Sequence, residues 1–195
     1  MKYFGDAVIL CGGKSNRTRF DKSLVKINGK SLVEIVYEKI SNSFERIALC
    51  ANTKEKFSMF NLEVIEDILK GKGPAVAIYS ALSQATTKYV FVVACDMPFI
   101  NSEHIEFMKS AIEEKNFPDA LIPLNGEYIE PLYGFYSLDM LKTFEEEIKK
   151  GNYKIHSILK KSNAFYLEEK YSKVFDKNLS MFTNLNYRED FEELL

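Results

Sequence analysis

Tryptophan is absent from this chain of 195 residues, and histidine and cysteine are scarce, with two and three copies. The cysteines, Cys11, Cys50 and Cys95, form neither a Cys-x-x-Cys pair nor a zinc-type spacing, and their odd number argues against a disulfide framework. Each ends a short apolar run, so we expect three small buried side chains. A metal or redox site is the alternative, because neighbouring parallel strands would gather the thiols near one edge of a sheet.

An excess of charge of one sign is also missing, since 26 basic residues face 28 acidic ones and the net charge is -2. This balance argues against a general surface for nucleic acid or for an acidic membrane. No apolar run is long enough to span a bilayer, and residues 1–6 lack the architecture of a signal peptide, so we expect a cytoplasmic protein. With 46% hydrophobic residues and no linker-like stretch, residues 1–195 are predicted to form a single domain.

What the sequence does contain is a glycine-rich, basic segment behind its first apolar run. Ala7–Leu10 has strand length and is followed by Cys11 and two adjacent glycines. The residues of this segment that suit a phosphate ligand are Gly12, Gly13, Lys14, Arg17, Arg19 and Lys22. Glycines let backbone N–H groups approach an anion closely, and nearby cations offset its charge. The segment therefore predicts a phosphate-binding loop, which we call the glycine loop (residues 12–22).

Two familiar phosphate motifs are excluded. Gly13-Lys14-Ser15 and Gly29-Lys30-Ser31 both imitate the end of a P-loop, but Val8 and Leu24 occupy the positions where that motif needs a glycine. The dinucleotide fingerprint G-x-G-x-x-G also fails, because the two glycines of the loop are adjacent. Residues 12–29 show no clear helical or strand period, and a connection of this length indicates a functional loop.

Strand-like and helix-like segments alternate along the rest of the chain. The predicted strands are Ala7–Leu10, Arg46–Cys50, Glu63–Glu66, Tyr89–Ala94, Ala120–Leu124, Ile129–Tyr136 and Ala164–Leu167. The predicted helices are Ser31–Ile40, a short one capped by Asn52 and Thr53, Ala75–Ala85 with Pro74 first, Ser102–Lys115, Leu138–Lys150, Ile155–Lys161 and Tyr187–Leu195. The turn pair Asn125-Gly126 predicts a hairpin with an antiparallel partner. The alternation predicts a three-layer α/β/α fold, a sheet covered by helices on both faces.

Carboxylates follow two of these strands. Asp67 comes directly after one predicted strand, and Asp96 follows another with only Cys95 between them. Ligands of an open parallel sheet bind beyond the carboxyl ends of its strands. A carboxylate opposite a cationic phosphate loop suits Mg²⁺, which takes one or two protein carboxylates and otherwise binds phosphate oxygens and water. We expect Asp96 to hold Mg²⁺, and Asp67 to be either a second ligand or a contact to a sugar or base. The alternative for a lone aspartate is a turn or helix cap.

Eight segments occur in an order typical of one family. They are Leu10-Cys11-Gly12-Gly13-Lys14-Ser15-x-Arg17, Asp21-Lys22-Ser23-Leu24, Asn28-Gly29-Lys30-Ser31-Leu32, Val64-Ile65-Glu66-Asp67, Gly73-Pro74, Cys95-Asp96-Met97-Pro98-Phe99, Glu130-Pro131-Leu132-Tyr133 and Phe182-Thr183-Asn184-Leu185-Asn186. By these segments, which span nearly the whole chain, the sequence resembles the molybdenum cofactor guanylyltransferases. More widely, it resembles nucleotidyltransferases of the nucleotide-diphospho-sugar transferase fold. That fold implies a Rossmann-like, mostly parallel sheet with an antiparallel element in the C-terminal half.

The resemblance implies transfer of GMP from GTP to the terminal phosphate of molybdopterin, with release of pyrophosphate. The attacking phosphate oxygen is already anionic at pH 7, so the reaction needs no general base. This agrees with His104 and His156, which lie in or near predicted helices outside any catalytic motif and are expected to be structural. GTP and molybdopterin would be the substrates. Transient contact with other proteins of molybdenum cofactor synthesis would follow, but no nucleic acid or membrane partner.

The resemblance also implies a role for each matching residue. The implied catalytic residues are Arg17, Lys22 and Asp96, with Lys22 offsetting charge at the α-phosphate and Asp96 holding Mg²⁺. The residues implied to contact the nucleotide are Leu10, Cys11, Gly12, Gly13, Lys22, Asn52, Asp67, Gly73, Pro74 and Asp96. Asn184 and Asn186 would face the pterin.

The sequence departs from the family pattern mainly in the glycine loop. Family members have Arg-Met-Gly where this chain has Arg17-Thr18-Arg19, so either the loop follows another path or Arg19 adds a phosphate contact. Residues 73–77 also differ, and a family asparagine near Cys50 is displaced or lost, with Asn52 as the candidate replacement. The alternatives are therefore a cytidylyltransferase of the same fold, acting on molybdopterin or on a sugar or polyol phosphate, and a catalytically silent nucleotide-binding module.

Overall fold

The computed structural model describes residues 1–11 and 24–185, so the glycine loop and the predicted closing helix Tyr187–Leu195 lie outside the described residues. The strands are β1 (Phe4–Leu10), β2 (Lys26–Ile27), β3 (Lys30–Ser31), β4 (Arg46–Ala51), β5 (Glu63–Glu66), β6 (Tyr89–Ala94), β7 (Ala120–Asn125), β8 (Tyr128–Ile129), β9 (Tyr133–Ser137) and β10 (Ala164–Leu167). The α-helices are α1 (Leu32–Ile40), α2 (Pro74–Leu82), α3 (Ser102–Glu114), α4 (Leu141–Lys149), α5 (Ile155–Leu159) and α6 (Glu169–Ser172). Short 3₁₀ helices occupy Glu55–Phe57, Leu138–Met140 and Ser180–Phe182.

Eight of the strands form one mixed sheet. Seven lie in the order β10-β7-β9-β6-β1-β4-β5, and β8 pairs with β7 beside this path. Neighbouring strands are parallel except that β9 is antiparallel to β6 and β7, and β8 to β7. The predicted mostly parallel sheet with an antiparallel element in its C-terminal half is confirmed. From β1 the chain builds outward to β4 and β5 and then crosses to β6 on the other side of β1, so the strand order reverses at this point.

Helices cover both faces of the sheet. The central strand β6 is buried along its whole length, as its unbroken apolar sequence predicts. On one face, which we call the α3 face, Ile9 and Phe91 pack with α1 and α3. On the opposite face, the α2 face, Val8 and Val92 pack with α2, α4 and α5, because successive strand residues alternate between the two faces. Within the described ranges no helix is both long and apolar enough to cross a membrane.

The first helix begins with the predicted serine cap. Ser31 Oγ accepts the Glu34 N–H at 3.3 Å, and Glu34 Oε2 accepts the Ser31 N–H at 2.7 Å. These reciprocal bonds form a capping box, which satisfies two N–H groups that the helix itself leaves without partners. Pro74 is the first residue of α2, as predicted.

A small hairpin lies within and just beyond the stretch in which no strand period is visible. β2 and β3 pair antiparallel, and the two residues between them, Asn28 and Gly29, have positive φ angles of 51° and 85°. Asn-Gly favours such turns. Each strand has only two residues, which is too short to show a period.

Two other local predictions were wrong. Asn52 and Thr53 do not cap the short helix, which is a 3₁₀ turn with Lys54 at its N-cap and no side-chain cap. Ile129–Tyr136 is not one strand, because residues 130–133 form a turn that separates β8 from β9.

Candidate active site

The carboxyl ends of β5, β4, β1 and β6 lie side by side along one edge of the sheet. Hydrogen bonds tie together the first residues beyond these strands, with Cys11 N–H donating to the Cys50 carbonyl at 2.8 Å and Cys95 N–H to the Leu10 carbonyl at 3.1 Å. The predicted site residues that lie at or directly beyond this edge are Leu10, Cys11, Asn52, Asp67, Gly73, Pro74 and Asp96. Their roles stay predictions, and their common location satisfies the first geometric requirement of a shared site.

Asp67 is held in a buried position at the end of β5. Its N–H donates to the Ala51 carbonyl at 3.0 Å, and the Cys50 thiol donates to its Oδ1 at an Sγ–Oδ1 distance of 3.2 Å. Burial raises the pKa of the Asp67 carboxyl, and the thiol hydrogen bond opposes this shift. Burial and the neighbouring carboxylate raise the pKa of Cys50, so the thiol stays protonated and continues to donate. A buried carboxylate with a raised pKa is typical of a ligand-binding position.

Asp67 and Asp96 follow strands that are not neighbours in the sheet. In the order β5-β4-β1-β6, three strand spacings separate the strands that carry them, which corresponds to about 14 Å at the usual spacing. Two carboxylates that bind one Mg²⁺ each place an oxygen about 2.1 Å from the ion, so the loops beyond the two strands would have to bring the carboxylates together across this spacing. Both roles predicted for Asp67, a second metal ligand and a contact to a sugar or base, stay predictions.

The loop from residue 67 to residue 73 is tied to the end of β4 by Asn52. Asn52 Oδ1 accepts the Gly71 N–H at 2.8 Å, so this side chain positions the loop. Gly73 ends the loop with a φ of 88° and is the N-cap of α2. Nothing in the described structure lies within 4 Å of the position that a Cβ would take at Gly73. The backbone angle, not crowding by the described residues, therefore requires glycine here.

Asp96 lies in the turn after β6 and is partly exposed. Its carbonyl accepts the Leu185 N–H at 2.9 Å, which brings the C-terminal segment beside it. Asn184, on the same segment, is exposed, and its Nδ2 donates to the Phe182 carbonyl at 3.5 Å. The structure therefore places Asn184 next to the Asp96 turn, whereas Asn186 lies outside the described residues.

An aromatic cluster around His104 anchors this C-terminal segment on the α3 face. The His104 ring centroid lies 5.4 Å from that of Phe175, 5.7 Å from that of Tyr133 and 6.2 Å from that of Phe182. Its Nε2 lies 3.1 Å from Ser172 Oγ. Burial lowers the pKa of His104 to about 4, so the ring is neutral at pH 7. His104 therefore contributes packing, and the described geometry gives it no part in proton transfer.

Lys56 is a cation at this edge that sequence reasoning missed. It lies in the 3₁₀ turn Glu55–Phe57, where burial lowers the pKa of its ammonium group and the nearby thiols of Cys11 and Cys95 shift it upward. A lysine in a short polar segment is usually solvated, so the sequence holds no signal for this position.

The three cysteines are free and buried, as expected from their neighbours in sequence. Burial, followed by a hydrogen bond with the Cys95 thiol, raises the pKa of Cys11. A thiolate nucleophile is therefore disfavoured at Cys11. In residues 1–11 and 24–185, no group of three or more His, Cys, Asp or Glu side chains could hold a metal ion. The alternative of a thiol metal site thus has no support in this part of the chain.

The remaining residues of the predicted site lie outside the described ranges. They are Gly12, Gly13, Arg17, Lys22 and Asn186, and the further cations Lys14 and Arg19 lie there as well. Their assignment to a phosphate loop stays a prediction. The described structure shows only that β1 ends at the edge from which this loop starts.

Comparison with known proteins identifies the family. The family described as the MobA-like NTP transferase domain matches residues 7–165, from β1 to the start of β10. The chain belongs to this family. The match includes the whole edge from Leu10 to Asp96, and the C-terminal segment with Asn184 lies beyond it.

Similarity extends over nearly the full length of several family members. The chain is 38% identical over 196 aligned positions to a probable molybdenum cofactor guanylyltransferase of Peptoclostridium acidaminophilum, with 98% of this chain and 89% of the relative covered. It is 36% identical to a molybdenum cofactor guanylyltransferase of Syntrophotalea carbinolica, with 97% and 90% covered. The crystal structure of molybdopterin-guanine dinucleotide biosynthesis protein A from Archaeoglobus fulgidus matches with a TM-score of 0.84 at 32% identity, covering 97% of this chain and 96% of that one. The predicted family and fold class are confirmed.

Proposed function

We propose that this chain transfers GMP from GTP to the terminal phosphate of molybdopterin and releases pyrophosphate. The observation that carries the proposal is the meeting of Leu10, Asp67, Gly73 and Asp96 along one sheet edge in a member of the MobA-like NTP transferase family. The names of similar proteins, molybdenum cofactor guanylyltransferases, support this choice of substrates. We also propose that residues 1–195 act as one domain.

The chemistry requires positioning and charge stabilisation. An oxygen of the acceptor phosphate attacks the α-phosphorus of GTP, a new P–O–P linkage forms, and the bond to the β-phosphate oxygen breaks so that pyrophosphate leaves. Because the attacking oxygen is already anionic, no side chain has to remove a proton. Catalysis then depends on holding the two phosphates in line and on cations that offset the growing charge.

The residues of the chain would divide this work between them. Amide groups of the glycine loop would contact the triphosphate, and Lys22, assisted by Arg17, would offset charge at the α-phosphate. The nucleoside would lie beyond β4 and β5. Its contacts would come from Leu10, Cys11, Asp67, Gly73 and Pro74, with Asn52 positioning the loop before Gly73. Asn184 and Asn186 would face the pterin.

Asp96 is the carboxylate that would hold Mg²⁺. It is a hard oxygen donor in a partly exposed turn at the edge from which the glycine loop starts. One carboxylate is sufficient, because Mg²⁺ usually keeps several waters and takes its other ligands from substrate phosphates. When bound, Mg²⁺ would polarise the phosphate oxygens and stabilise the negative charge that develops on them.

The test is pyrophosphate release with molybdopterin, Mg²⁺ and each of GTP, CTP, ATP and UTP. We expect release with GTP, and we expect GTP to raise the melting temperature most, because a ligand that binds only the folded state stabilises it. At 100 times its Kd the shift should be roughly 5–10 °C for a chain of this size. A preference for CTP would identify a cytidylyltransferase. Binding without pyrophosphate release would identify a silent nucleotide-binding module.

Two substitutions test the residue assignment. Lys22→Ala and Asp96→Ala should each lower kcat at least about 100-fold, with little change in melting temperature, because both side chains belong to the charge-stabilising site. The matched control is Asp139→Ala, which removes an exposed carboxylate paired with Lys88 at the opposite edge of the sheet and should leave kcat unchanged. A near-normal rate in either active-site variant would refute the assignment of that residue.

A further inference from the structure

The hairpin between β7 and β8 carries three side chains that the proposed chemistry leaves unused. Asn125 on β7 pairs with Tyr128 on β8, and directly opposed residues share one face of a pair of strands. Asn125 Nδ2 also donates to Glu130 Oε1 at 3.1 Å. An amide, an aromatic ring and a carboxylate therefore lie together on one face of this hairpin, which we call the hairpin face (Asn125, Tyr128 and Glu130).

The hairpin face belongs to the α3 side of the sheet. Leu121 on β7 packs in the core of the α3 face, and Asn125 lies four residues further along the same strand, so both side chains point the same way. Phe182, which precedes Asn184 on the C-terminal segment, packs on this face as well. The hairpin face therefore lies on the same side of the sheet as the segment proposed to meet the pterin.

The hairpin also meets the site edge next to Asp96. The Leu132 carbonyl accepts the Ala94 N–H at 3.0 Å, two residues before Asp96. Of the proposed nucleoside contacts, Leu10 packs in the core of the α2 face, as does Cys50, the thiol partner of Asp67, whereas Cys11 packs on the α3 face. Asp96 follows β6, so it lies between two halves of the edge. The nucleoside half comprises β1, β4 and β5, and the other half comprises β9 and β7 with the hairpin.

The backbone around Glu130 is fixed by three hydrogen bonds. Glu130 N–H donates to the Pro123 carbonyl at 2.9 Å, and its carbonyl accepts the Tyr133 N–H at 3.1 Å. The Tyr136 hydroxyl donates to the Pro131 carbonyl at 2.7 Å. Glu130 is therefore held by its main chain, which suits a residue that selects a ligand.

The side chains of the hairpin face are available to a ligand. Glu130 is half-buried, and no lysine, arginine or histidine of the described residues forms an ion pair with it. Burial raises the pKa of its carboxyl, and the amide of Asn125 offsets part of this shift. Tyr128 is 78% exposed, so its aromatic ring is accessible to a ligand. A desolvated carboxylate beside an open ring suits a flat heterocycle that presents N–H donors.

We propose that Glu130 and Tyr128 bind the pterin ring of the acceptor substrate. Glu130 accepts hydrogen bonds from the 2-amino group and from N3–H, and Tyr128 stacks on the ring. The two donors are adjacent on the pterin edge and match the two oxygens of a carboxylate, while Oε1 has a second lone pair left after its bond with Asn125. This inference rests on the proposed function and adds to it the residues that select the acceptor. Guanine presents a similar donor edge, but its proposed contacts lie in the other half of the site.

The test compares pterin with lumazine, in which an oxo group replaces the 2-amino group, by calorimetric titration of the full chain. The wild-type chain should bind pterin about tenfold more tightly than lumazine, because bonds to a charged acceptor discriminate strongly. Glu130→Gln should reduce this ratio to about twofold or less. Tyr128→Ala should weaken both ligands, roughly fivefold, and leave the ratio unchanged. The control Glu127→Gln, an exposed residue of the same hairpin, should behave as wild type.

Several results would overturn the inference. They are a wild-type ratio near one, a Glu130→Gln variant that keeps the wild-type ratio, and loss of the GTP-induced rise in melting temperature in that variant. If Glu130→Gln does not fold, the pterin-to-lumazine affinity ratio of wild type and the ligand affinities of Tyr128→Ala still test the inference. Failure of the proposed function is distinguishable, because the wild-type chain would then release no pyrophosphate while its preference for pterin over lumazine would persist.

Discussion

Replacement of Asp67 by asparagine is expected to stabilise the free protein and to weaken nucleotide binding. Asp67 is 8% exposed, and within the described residues its side chain receives one hydrogen bond, from the Cys50 thiol. Asparagine retains an acceptor oxygen for this thiol and has nearly the same shape. The substitution therefore removes a poorly solvated charge and replaces the second carboxylate oxygen with an amide NH2 group.

The pH dependence of this effect follows from the raised pKa of Asp67. Because burial favours the protonated form, the folded protein binds this proton more tightly than the unfolded chain does. Stability is therefore lost as the pH rises from the unfolded pKa through the folded pKa of the group. Toward about pH 8 the cost of the charge is greatest, and its removal there should add about 1 kcal/mol, a typical gain for relief of one unfavourable group. For a chain of this size that gain raises the melting temperature by about 2–4 °C.

Thermal melts of wild type and Asp67→Asn at about pH 8 and about pH 4 test this reasoning. The gap between the two proteins should be present at the higher pH and should shrink at the lower one, because the raised pKa of Asp67 means that the cost of its charge is lost as the pH falls. The control is Asp139→Asn, which changes an exposed carboxylate paired with Lys88 and should not raise the melting temperature.

The same melts with GTP and Mg²⁺ test the functional half of the prediction. Asp67→Asn should respond less to GTP than wild type does, because the proposed sugar or base contact is altered. A variant that melts below wild type at about pH 8 would refute the reasoning, since the carboxylate would then be stabilising. An equal gap at both pH values would show that the change acts through packing and not through charge.

Two further predictions concern backbone strain and acid stability. Gly73→Ala should cost about 1–2 kcal/mol, because a φ of 88° is unfavourable for alanine, and should also reduce the GTP-induced shift. Gly151→Ala, at a φ of 77° in another loop where no described atom lies within 4 Å of the Cβ position, should also lower stability but should leave the GTP-induced shift unchanged. Equal GTP responses in the two variants would count against the site. Because His104 has a pKa of about 4 in the folded protein and about 6.5 in the unfolded chain, wild type should lose up to about 3 kcal/mol of unfolding free energy as the pH falls from about 6.5 to 4. His104→Leu should abolish this loss. Denaturant unfolding between pH 7 and pH 4 checks this, and a slope identical to that of wild type would contradict it.

Elements with a strong local pattern were predictable from the sequence. β6 has an unbroken apolar run and is buried on both faces, and α1 begins at a serine followed three residues later by glutamate. The ends of two apolar runs in the sequence likewise predicted that Asp67 and Asp96 follow strands, and the structure has them there. Each of these features depends on residues that are close in sequence, so a single chain is sufficient to reveal them.

Features that depend on distant segments were not predictable. Lys56 approaches Cys11 and Cys95 only because the chain folds back over the end of β1. The strands that Asp67 and Asp96 follow are not neighbours in the sheet, and no local pattern specifies this strand order. The insertion of β9 between β6 and β7 likewise depends on pairing between segments that are far apart in the sequence. A hairpin with an antiparallel partner was predicted, but not its place within the sheet.

The direction of β9 explains why the two halves of the candidate site differ. β1, β4, β5 and β6 are parallel and present their carboxyl ends, so glycines and carboxylates that follow them reach the edge directly. β9 runs the opposite way and presents its amino end, so the turn before it, with Glu130, arrives at the same edge. Gly134 allows this insertion, because a Cβ there would lie 2.9 Å from the Leu121 carbonyl oxygen on β7. The nucleoside half therefore depends on local loop chemistry, whereas the proposed acceptor half depends on the register of one antiparallel strand.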